Sequence, residues 1–550
     1  MGTSYLERER REDVMISRLL ERRAADAPDD VYFTVADDTY TCGDFNRLAN
    51  QMARNLLSAG VVKGTRVAVL MDSSPDYLTL WFALSKIGAV EVTINTAYIG
   101  EILRYQLALS EASVCIVDNK YLAAVLRIRD ELPALESLFV RASAPLADGD
   151  EAESPADLRS FDDALRRPAG DSNLDIELAP DDLCGVIFTS GTTGLSKGVM
   201  LNNYFLACHG HMYAEINALR SDDVIFNFLP FFHMGAKFLA IAPLVSGGAM
   251  RLQDRFRASS FLDDVVAHGI TNFLGVGSIL NILLTREAPS YPHIRTIYAV
   301  PDPPDIHDEL IRRFGCRITS VYGNTESGLP VFRGVHDEYY PRSAGRVSPY
   351  YDVIVADADD NEVPPGTIGE ILVRPSRPDV VSTGYLGDAA RTLAARRNLW
   401  IHSGDLGHFD ERGFLYFDDR KSDSIRRRGE NVSSFELESA VSVHPEIVEV
   451  AAIATPSELG EDEVCLLVQL RDDSRLTEEE VFVHCAETLP YFMVPRFVEL
   501  VTDFPRTPTA KVEKYRLRGT YPSPARWDRA EHGWTITRDG LARTAGSIGL

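Results

Sequence analysis

The chain has 550 residues and a formal net charge of −25, and 45% of its residues are hydrophobic and 25% charged. The acidic balance argues against a nucleic-acid-binding surface, which needs clustered cations, and against attachment to an anionic membrane. Any phosphate-binding site must therefore be a local arrangement of backbone amides and a few cations, in a chain long enough for several buried cores.

The N-terminal part alternates strand-like and helical segments. Residues 66–71 form a short apolar run, Ser74-Pro75 opens a helical pattern, and residues 89–94 are strand-like again. A further strand-like run covers residues 112–117. This βαβ pattern is typical of parallel strands joined by helices, so the sequence predicts an α/β fold for this part of the chain.

Residues 141–180 are rich in Ala, Asp, Glu and Pro and have no clear hydrophobic period. We interpret them as an exposed loop with a short helix near Leu158–Leu165.

The strongest local signal follows a strand-like run at Cys184–Phe188. From Thr189 to Gly198 the chain has five hydroxyl residues, three glycines and one lysine, Lys197. Glycines let backbone N–H groups approach a phosphate, and Lys197 adds a fixed positive charge. Because Gly198 follows Lys197, the loop is not a Walker A motif. The alternative is a flexible surface loop, but the preceding buried strand favours phosphate binding.

After Gly429 the pattern becomes compact α+β. Two capping boxes are predicted, Ser433 with Glu436 and Thr477 with Glu480, and a strand over Ile447–Ala454 lies between them. We expect a small second domain here, followed by a C-terminal extension that contains Pro522, Pro524 and scattered glycines.

Seven cysteines are scattered singly, without a CxxC pair. This usage predicts buried core thiols in a reducing, cytoplasmic setting. The charged N-terminus is unlike a signal peptide, and the most apolar stretch is interrupted, so no membrane span is expected.

Further motifs recur in order from about residue 40 to residue 518, and together they resemble those of the adenylate-forming (ANL) superfamily. The matching segments are Ser74–Thr96, Thr189–Gly198, Pro230–Gly235, Ser320–Glu326, Trp400–Gly407, Asp419–Asp423, Arg428–Ser433 and Pro505–Lys511. The chain is most similar to the acyl-CoA synthetase branch. Within that branch, the nearest resemblance is to the crotonobetaine/carnitine–CoA ligases, and it rests on the segments Phe417–Arg420 and Arg428–Ser433.

The resemblance implies a large α/β N-terminal domain, with sheets wrapped by helices, and a small mobile α+β C-terminal domain. On this basis we expect an N-terminal adenylation domain over 1–419, a hinge at 420–422, a mobile domain over 423–518 and an extension over 519–550. In the family, the small domain rotates between the two half-reactions, which is a known form of gating.

The resemblance also implies the nucleotide contacts. The predicted β,γ-phosphate loop comprises Thr189, Ser190, Gly191, Thr192, Thr193, Gly194 and Lys197. Tyr322 and Gly323 would lie against adenine, with Asn324 near its amino edge. The remaining nucleotide contacts would be Thr325 to the α-phosphate, Asp405 to the ribose hydroxyls and Arg420 to the ribose or phosphate.

The cofactors implied are ATP, Mg²⁺ and coenzyme A. Glu326 would hold Mg²⁺ against the phosphates. Lys511 would bridge the attacking carboxylate and the α-phosphate, where negative charge gathers. His233 would border the site near the acyl carboxylate, as a gate or support. Gly429 would line the pantetheine tunnel.

Several residues depart from the family pattern. Ser422 and Ala510 replace more usual residues near the hinge and the catalytic lysine, and Arg397–Trp400 lacks the usual Asp-Gly. In the resemblance to carnitine-type ligases, an acidic residue lies two positions after the motif histidine. In this chain that position is Gly235, and a lysine, Lys237, lies two positions later. The loss of the acid predicts a neutral or anionic acyl tail, unless Lys237 merely faces solvent.

The leading hypothesis is therefore an ATP-dependent acyl- or aryl-CoA ligase acting on a small organic acid, as a monomer or homodimer. A second hypothesis is an adenylating enzyme with another acceptor, either a carrier protein or, through nitrite activation, an aryl amine. A third is a relative that binds nucleotide without turnover, which the retention of Lys197, Glu326, Asp405 and Lys511 opposes.

Overall fold

The structure is a computed structural model that describes residues 6, 9–143, 158–189, 195–286, 292, 294–420, 424–457, 460–505, 512, 514–518, 520–537 and 540–543. The chain divides into two compact units. The first comprises Met1–Thr96, Leu107–Phe188 and Gly198–Asp419, and the second comprises Ala97–Gln106, Thr189–Lys197 and Arg420–Leu550. The finer predicted boundaries, the hinge at 420–422 among them, stay a prediction, and residues 421–422 lie outside the described residues.

The described α-helices, in chain order, are α1 (Ile16–Asp26), α2 (Cys42–Ser58), α3 (Pro75–Ile87), α4 (Gly100–Ser110), α5 (Asn119–Leu126), α6 (Phe161–Leu165), α7 (Asn203–Ile216), α8 (Met234–Ser246), α9 (Phe261–Ala267), α10 (Gly277–Leu284), α11 (His307–Phe314), α12 (Ala389–Ala394), α13 (Ser434–Val441), α14 (Glu478–Thr488) and α15 (Lys514–Arg518). Short 3₁₀ helices cover Arg11–Asp13, Arg129–Glu131 and Arg397–Leu399.

The described strands are β1 (Val31–Val35), β2 (Asp38–Thr41), β3 (Arg66–Leu70), β4 (Val90–Thr93), β5 (Val114–Asp118), β6 (Ser137–Arg141), β7 (Leu158–Ser160), β8 (Leu183–Thr189), β9 (Lys197–Asn202), β10 (Val224–Asn227), β11 (Ala249–Leu252), β12 (Asn272–Val276), β13 (Thr296–Val300), β14 (Arg317–Asn324), β15 (Gly328–Arg333), β16 (Ser343–Val347), β17 (Tyr351–Ala356), β18 (Gly369–Pro375), β19 (Gly384–Tyr385), β20 (Ile401–Phe409), β21 (Leu415–Arg420), β22 (Ser424–Arg427), β23 (Glu430–Ser433), β24 (Ile447–Pro456), β25 (Asp462–Leu470), β26 (Phe497–Leu500), β27 (Trp527–Asp528), β28 (Trp534–Thr537) and β29 (Gly540–Arg543).

Local sequence rules account for the first βαβ unit. Ser74 is the N-cap of α3 and accepts a hydrogen bond from the N–H of Tyr77, and Pro75 occupies the first turn. Gly88 ends the helix in the left-handed conformation, which glycine adopts at little cost. The helix connects β3 to β4, which are parallel neighbours, so the predicted βαβ unit is confirmed.

Two large sheets make up most of the first unit. One has the order β17-β18-β20-β21-β16-β15-β14-β13-β12-β10-β11-β1-β2, and the other has the order β19-β9-β8-β4-β3-β5-β6-β7. In the first sheet β10, β12, β13 and β14 run parallel, and β15 then pairs antiparallel with β14. In doubly wound sheets, ligands bind beyond the carboxyl ends of parallel strands. The turn after β14 is therefore a candidate position for a ligand site.

The segment near residues 158–165 differs in part from the prediction. Leu158–Ser160 forms β7, which pairs parallel with β6, and the helix α6 begins only at Phe161. Ser160 caps that helix by accepting from the N–H of Asp163. Strand pairing with β6 is a long-range interaction that local composition does not reveal. Residues 144–157 of the predicted loop lie outside the described residues.

The second unit contains a four-stranded sheet in the order β24-β25-β26-β27. Its last strand, β27, comes from the predicted C-terminal extension and pairs antiparallel with β26. Trp527–Asp528 of the extension therefore belong to the sheet of this unit. Trp534, farther along the extension, donates from its indole N–H to Glu479 at 2.8 Å.

The two predicted capping boxes have different outcomes. Thr477 and Glu480 form the reciprocal pair, as predicted. Ser433 accepts from the N–H of Glu436, but the Glu436 carboxylate instead accepts from the Ser196 N–H at 2.7 Å and from the Ser196 hydroxyl. Burial raises the pKa of Glu436, while the hydrogen bonds from Ser196 oppose that shift.

All seven cysteines lie within the described residues, and they are buried and free of disulfide bonds, as predicted for core thiols. No described helix combines the length and the apolar character that a membrane crossing requires.

The loop that lacks the usual Asp-Gly contains an unfavourable backbone conformation. Leu399 has φ of 67°, a conformation that costs an L-residue about 1–2 kcal/mol, and its side chain is 81% exposed. We therefore expect Leu399→Gly to raise the free energy of unfolding by roughly 0.5–1 kcal/mol after the entropic cost of glycine. Calorimetric unfolding measures this gain as a higher thermal midpoint.

The matched control for that substitution is Leu393→Gly. Leu393 is also largely exposed, but it lies within α12, where glycine costs about 1 kcal/mol. Opposite shifts of the two thermal midpoints would support the strain argument, whereas a lower midpoint for both variants would contradict it.

Candidate active site

A tight hairpin at the end of β14 carries several of the predicted site residues. A side chain at Gly323 would meet the carbonyl oxygen of Gly328 at 2.0 Å, and one at Gly328 would meet the His209 ring at 1.9 Å. Only glycine therefore permits this close approach of β14, β15 and α7. Asn324 accepts at its side-chain oxygen from the N–H and the hydroxyl of Ser327, both at 2.8 Å, which closes the turn.

The hairpin contacts the segment that carries the predicted ribose ligand. The hydroxyl of Tyr322 donates to Asp405 Oδ2 at 2.9 Å, although 83 residues separate them in the chain. Asp405 is 6% exposed and lies in β20. The Tyr322 ring also faces Phe417, with ring centroids 6.3 Å apart. The structure thus brings the predicted adenine and ribose residues into direct contact.

Glu326 lies in the turn between β14 and β15, directly after Thr325. Its Oε1 accepts a hydrogen bond from the Tyr385 hydroxyl at 3.1 Å, and its backbone carbonyl accepts from the N–H of Ser382 at 2.9 Å. The predicted metal ligand is therefore held at two points by the segment around β19.

The described residues contain no group of three or more His, Cys, Asp or Glu side chains that could hold a metal ion by themselves. Mg²⁺ in nucleotide sites commonly takes only one or two carboxylates, together with phosphate oxygens and water. The donor set around Glu326 fits such an ion, provided that a nucleotide supplies the other ligands.

His233 is the N-cap residue of α8, and it is partly buried. A side chain at Gly235, in the first turn of that helix, would contact Leu274 at 3.3 Å and Leu229 at 3.4 Å. The surroundings of this position are therefore apolar.

Lys237 does not match either sequence-based alternative. Its side chain is 1% exposed, and its ammonium lies 2.5 Å from Glu91 Oε2 and 4.2 Å from the centre of the Trp81 ring. Burial lowers the pKa of Lys237, and Glu91 opposes that shift. Lys237 neither faces solvent nor offers an unpaired charge to an anionic acyl tail.

The remaining predicted residues belong to the second unit. Thr189 ends β8, and Lys197 begins β9; both are partly buried. Six of the predicted residues lie outside the described residues: Ser190, Gly191, Thr192, Thr193, Gly194 and Lys511. Arg420 ends β21, and nothing is described of its side chain.

Gly429 lies in a two-residue turn between β22 and β23. Arg428 and Gly429 have φ of 54° and 80°, as a type I′ hairpin requires. This backbone conformation explains the glycine in addition to any role in a thiol tunnel. The N–H of Gly429 donates to Glu461 Oε2 at 3.1 Å.

Sequence reasoning missed two partners of residues that it had singled out: Tyr385, which contacts Glu326, and Glu91, which pairs with Lys237. Tyr385 lies in Ser382-Thr383-Gly384-Tyr385-Leu386-Gly387, a Gly-containing run whose two glycines and aromatic residue were the available signal. Glu91 stood out as the one charged residue in the buried strand β4. A charge inside a buried strand predicts a buried partner.

Profiles of two protein families match the chain. The family described as AMP-binding enzyme matches residues 20–386, and the AMP-binding enzyme C-terminal domain matches residues 436–511. Among curated relatives, the crotonobetaine/carnitine–CoA ligase of Salmonella enteritidis PT4 (strain P125109) is 30% identical over 490 residues, which cover 87% of this chain and 93% of the relative.

Solved structures show the same fold. An o-succinylbenzoate CoA synthetase (MenE) variant from Bacillus subtilis, bound with a product analogue, matches with a TM-score of 0.78 at 22% identity, and covers 93% of this chain and 99% of its own. ATP-bound MatB from Rhodopseudomonas palustris matches with a TM-score of 0.66 at 27% identity, and covers 92% of this chain and 99% of its own.

Proposed function

The chain belongs to the AMP-binding enzyme family, and from this premise we propose that it is an ATP-dependent acid–CoA ligase. It would activate an organic acid as its acyl- or aryl-adenylate with release of pyrophosphate, and then transfer the acyl group to the thiol of coenzyme A. The observation that carries the proposal is the hydrogen bond between Tyr322 and Asp405, because it joins two motifs from distant parts of the chain that are both predicted to contact the nucleotide.

The first half-reaction joins two anions, so the protein must mainly position them and neutralise charge. Tyr322 would pack against adenine and Asp405 would accept from the ribose hydroxyls. Mg²⁺, when bound, would neutralise phosphate charge, and Glu326 would hold it. Thr325 would donate to the α-phosphate. Lys511 would neutralise the charge that develops between the attacking carboxylate and the α-phosphate.

Further contacts with the substrates are expected from the phosphate loop, from Asn324 and from Gly429. The loop from Thr189 to Lys197 would bind the β,γ-phosphates through backbone amides, hydroxyls and one lysine. Asn324 would use its amide N–H groups toward the base, because its oxygen already accepts from Ser327. Gly429 would border the path of the pantetheine thiol in the second half-reaction.

We further propose that the acid has a neutral, apolar tail. Gly235 carries no counter-charge for a cationic tail, and Leu229 and Leu274 surround its position. Lys237 is paired with Glu91 in the interior and so supplies no cation for an anionic tail. A reducing compartment such as the cytoplasm is supported by seven free, buried cysteines, and we expect a monomer or homodimer.

The test is pyrophosphate release across a panel of acids, including carnitine-like, dicarboxylic, fatty, aryl and nitrite members, each with and without coenzyme A. Mass detection then identifies the product. We expect release with a neutral-tailed organic acid and formation of its CoA thioester. Release that ignores coenzyme A would move the assignment to a carrier protein or a diazotising acceptor. If no acid of the panel gave pyrophosphate release, the chain would be assigned as a relative that binds nucleotide without turnover.

A further inference from the structure

Tyr385 is a buried tyrosine whose hydroxyl contacts the predicted metal-holding carboxylate. The residue is 8% exposed, and its hydroxyl donates to Glu326 Oε1 at 3.1 Å. A phenol has one proton to donate and a carboxylate has about four lone-pair positions. This single hydrogen bond therefore orients Glu326 while leaving the carboxylate the capacity for a metal ion.

Tyr385 is itself held in place by the helix that follows it. Its N–H donates to the Thr392 hydroxyl at 2.9 Å, and that hydroxyl donates to the carbonyl of Asp388 at 2.8 Å. Asp388 caps α12 by accepting from the N–H of Arg391. The tyrosine is thus fixed to a capped helix and not to a loose loop.

The same segment also holds the backbone of Glu326. The N–H of Ser382 donates to the Glu326 carbonyl at 2.9 Å. Arg396 donates to the hydroxyl of Ser382 at 3.1 Å and to its carbonyl. Two connections, one to the backbone and one to the carboxylate, therefore join residues 382–396 to one glutamate.

From this geometry we propose that Tyr385 is a positioning residue for the nucleotide-bound Mg²⁺, acting through Glu326. The inference rests on the proposed function only for the role of Glu326. Ordered partners of metal-binding carboxylates commonly change metal affinity by 10- to 100-fold when removed. The contribution of Tyr385 would therefore appear wherever the metal takes part in binding, and nowhere else.

The experiment measures ATP affinity by calorimetry in excess Mg²⁺ and again in EDTA, without acid substrate. We expect Tyr385→Phe to weaken ATP binding about 10-fold in Mg²⁺ and to leave binding in EDTA unchanged. Equal losses in both media would overturn the proposal, because they would indicate a general structural defect.

A double-substitution cycle tests the route through Glu326. Glu326→Gln alone should remove most of the benefit of Mg²⁺, and adding Tyr385→Phe should then cause no further loss. Additive losses would show that Tyr385 acts independently and would overturn the proposal.

Two further variants control for the loss of a buried hydroxyl. Tyr32→Phe also removes a buried phenol hydroxyl, which donates to the carbonyl of Ala240 at 2.7 Å, and it should keep wild-type affinity in both media. Should Tyr385→Phe lower the thermal midpoint strongly, Thr392→Ala keeps the phenol but removes its anchor. We expect a smaller loss for it that is again confined to Mg²⁺, and a loss in both media would count against the proposal.

The outcomes separate this proposal from the proposed function. Wild-type protein that activates an acid, together with a Tyr385→Phe variant that binds ATP in Mg²⁺ as tightly as the wild type, would overturn the role of Tyr385 alone. Suppose instead that the wild type binds ATP in a Mg²⁺-dependent way, that Tyr385→Phe weakens this dependence, and that the wild type activates no acid. This result would overturn the ligase assignment alone.

Discussion

Glu326→Gln is expected to lower kcat/KM for pyrophosphate release by about 10²- to 10³-fold. The amide preserves the shape of the side chain and can still accept the hydrogen bond from Tyr385, so the fold around β14 and β15 should remain intact. It lacks the negative charge that a hard cation needs in its ligand. The loss should therefore be largest at low Mg²⁺ and should shrink as Mg²⁺ is raised.

The matched control is Glu338→Gln. Glu338 is an exposed glutamate that also accepts a hydrogen bond from a tyrosine hydroxyl, that of Tyr340 at 2.8 Å, and it should keep wild-type kinetics. Steady-state rates across a range of Mg²⁺ concentrations, with the best acid of the panel, make the comparison. Near-wild-type activity of Glu326→Gln at all Mg²⁺ concentrations would remove Glu326 from the mechanism.

Lys237→Met is expected to destabilise the first unit by roughly 3–5 kcal/mol. The substitution leaves Glu91 charged and 1% exposed, without the ammonium that lies 2.5 Å away. Glu91 Oε1 is buried without a hydrogen-bond partner among the described residues, and the neighbouring Tyr77 hydroxyl brings no positive charge that could replace the ammonium. The measurement is the shift of the thermal unfolding transition by calorimetry.

The double variant Glu91→Leu with Lys237→Met decides whether the cost comes from an unpaired charge. Removing both charges should recover most of the lost stability, since apolar replacement of a buried ion pair is commonly near neutral. Additive destabilisation would contradict this account. The acid preference of folded Lys237→Met should equal that of the wild type, and a shift toward other acids would show that Lys237 does contact the acyl tail.

Local sequence rules were sufficient for much of the framework. Ser74, Pro75 and Gly88 delimit α3 as capping preferences require, and Thr477 with Glu480 forms its capping box. These interactions join residues that are near each other in the chain, so a short window contains both partners. The order of the motifs, which also depends only on the sequence, was enough to identify the AMP-binding family.

Tertiary structure decided where the longer side chains are used. Glu436 belongs to a capping box by local rules, yet its carboxylate accepts from Ser196, which is 240 residues away. The sequence did not show whether Lys237 faces solvent or the acyl tail, and the structure pairs it with Glu91, 146 residues away. Tyr385 carried no assigned role until the fold placed its hydroxyl beside Glu326.

The sequence by itself thus determined the family and the α/β class, because these depend on short-range patterns and on motif order. Only the tertiary structure decided which charges are neutralised inside the protein and which partners hold the functional side chains. The physical reason is that burial makes an unpaired polar group costly, and the partner that relieves this cost can lie anywhere in the chain.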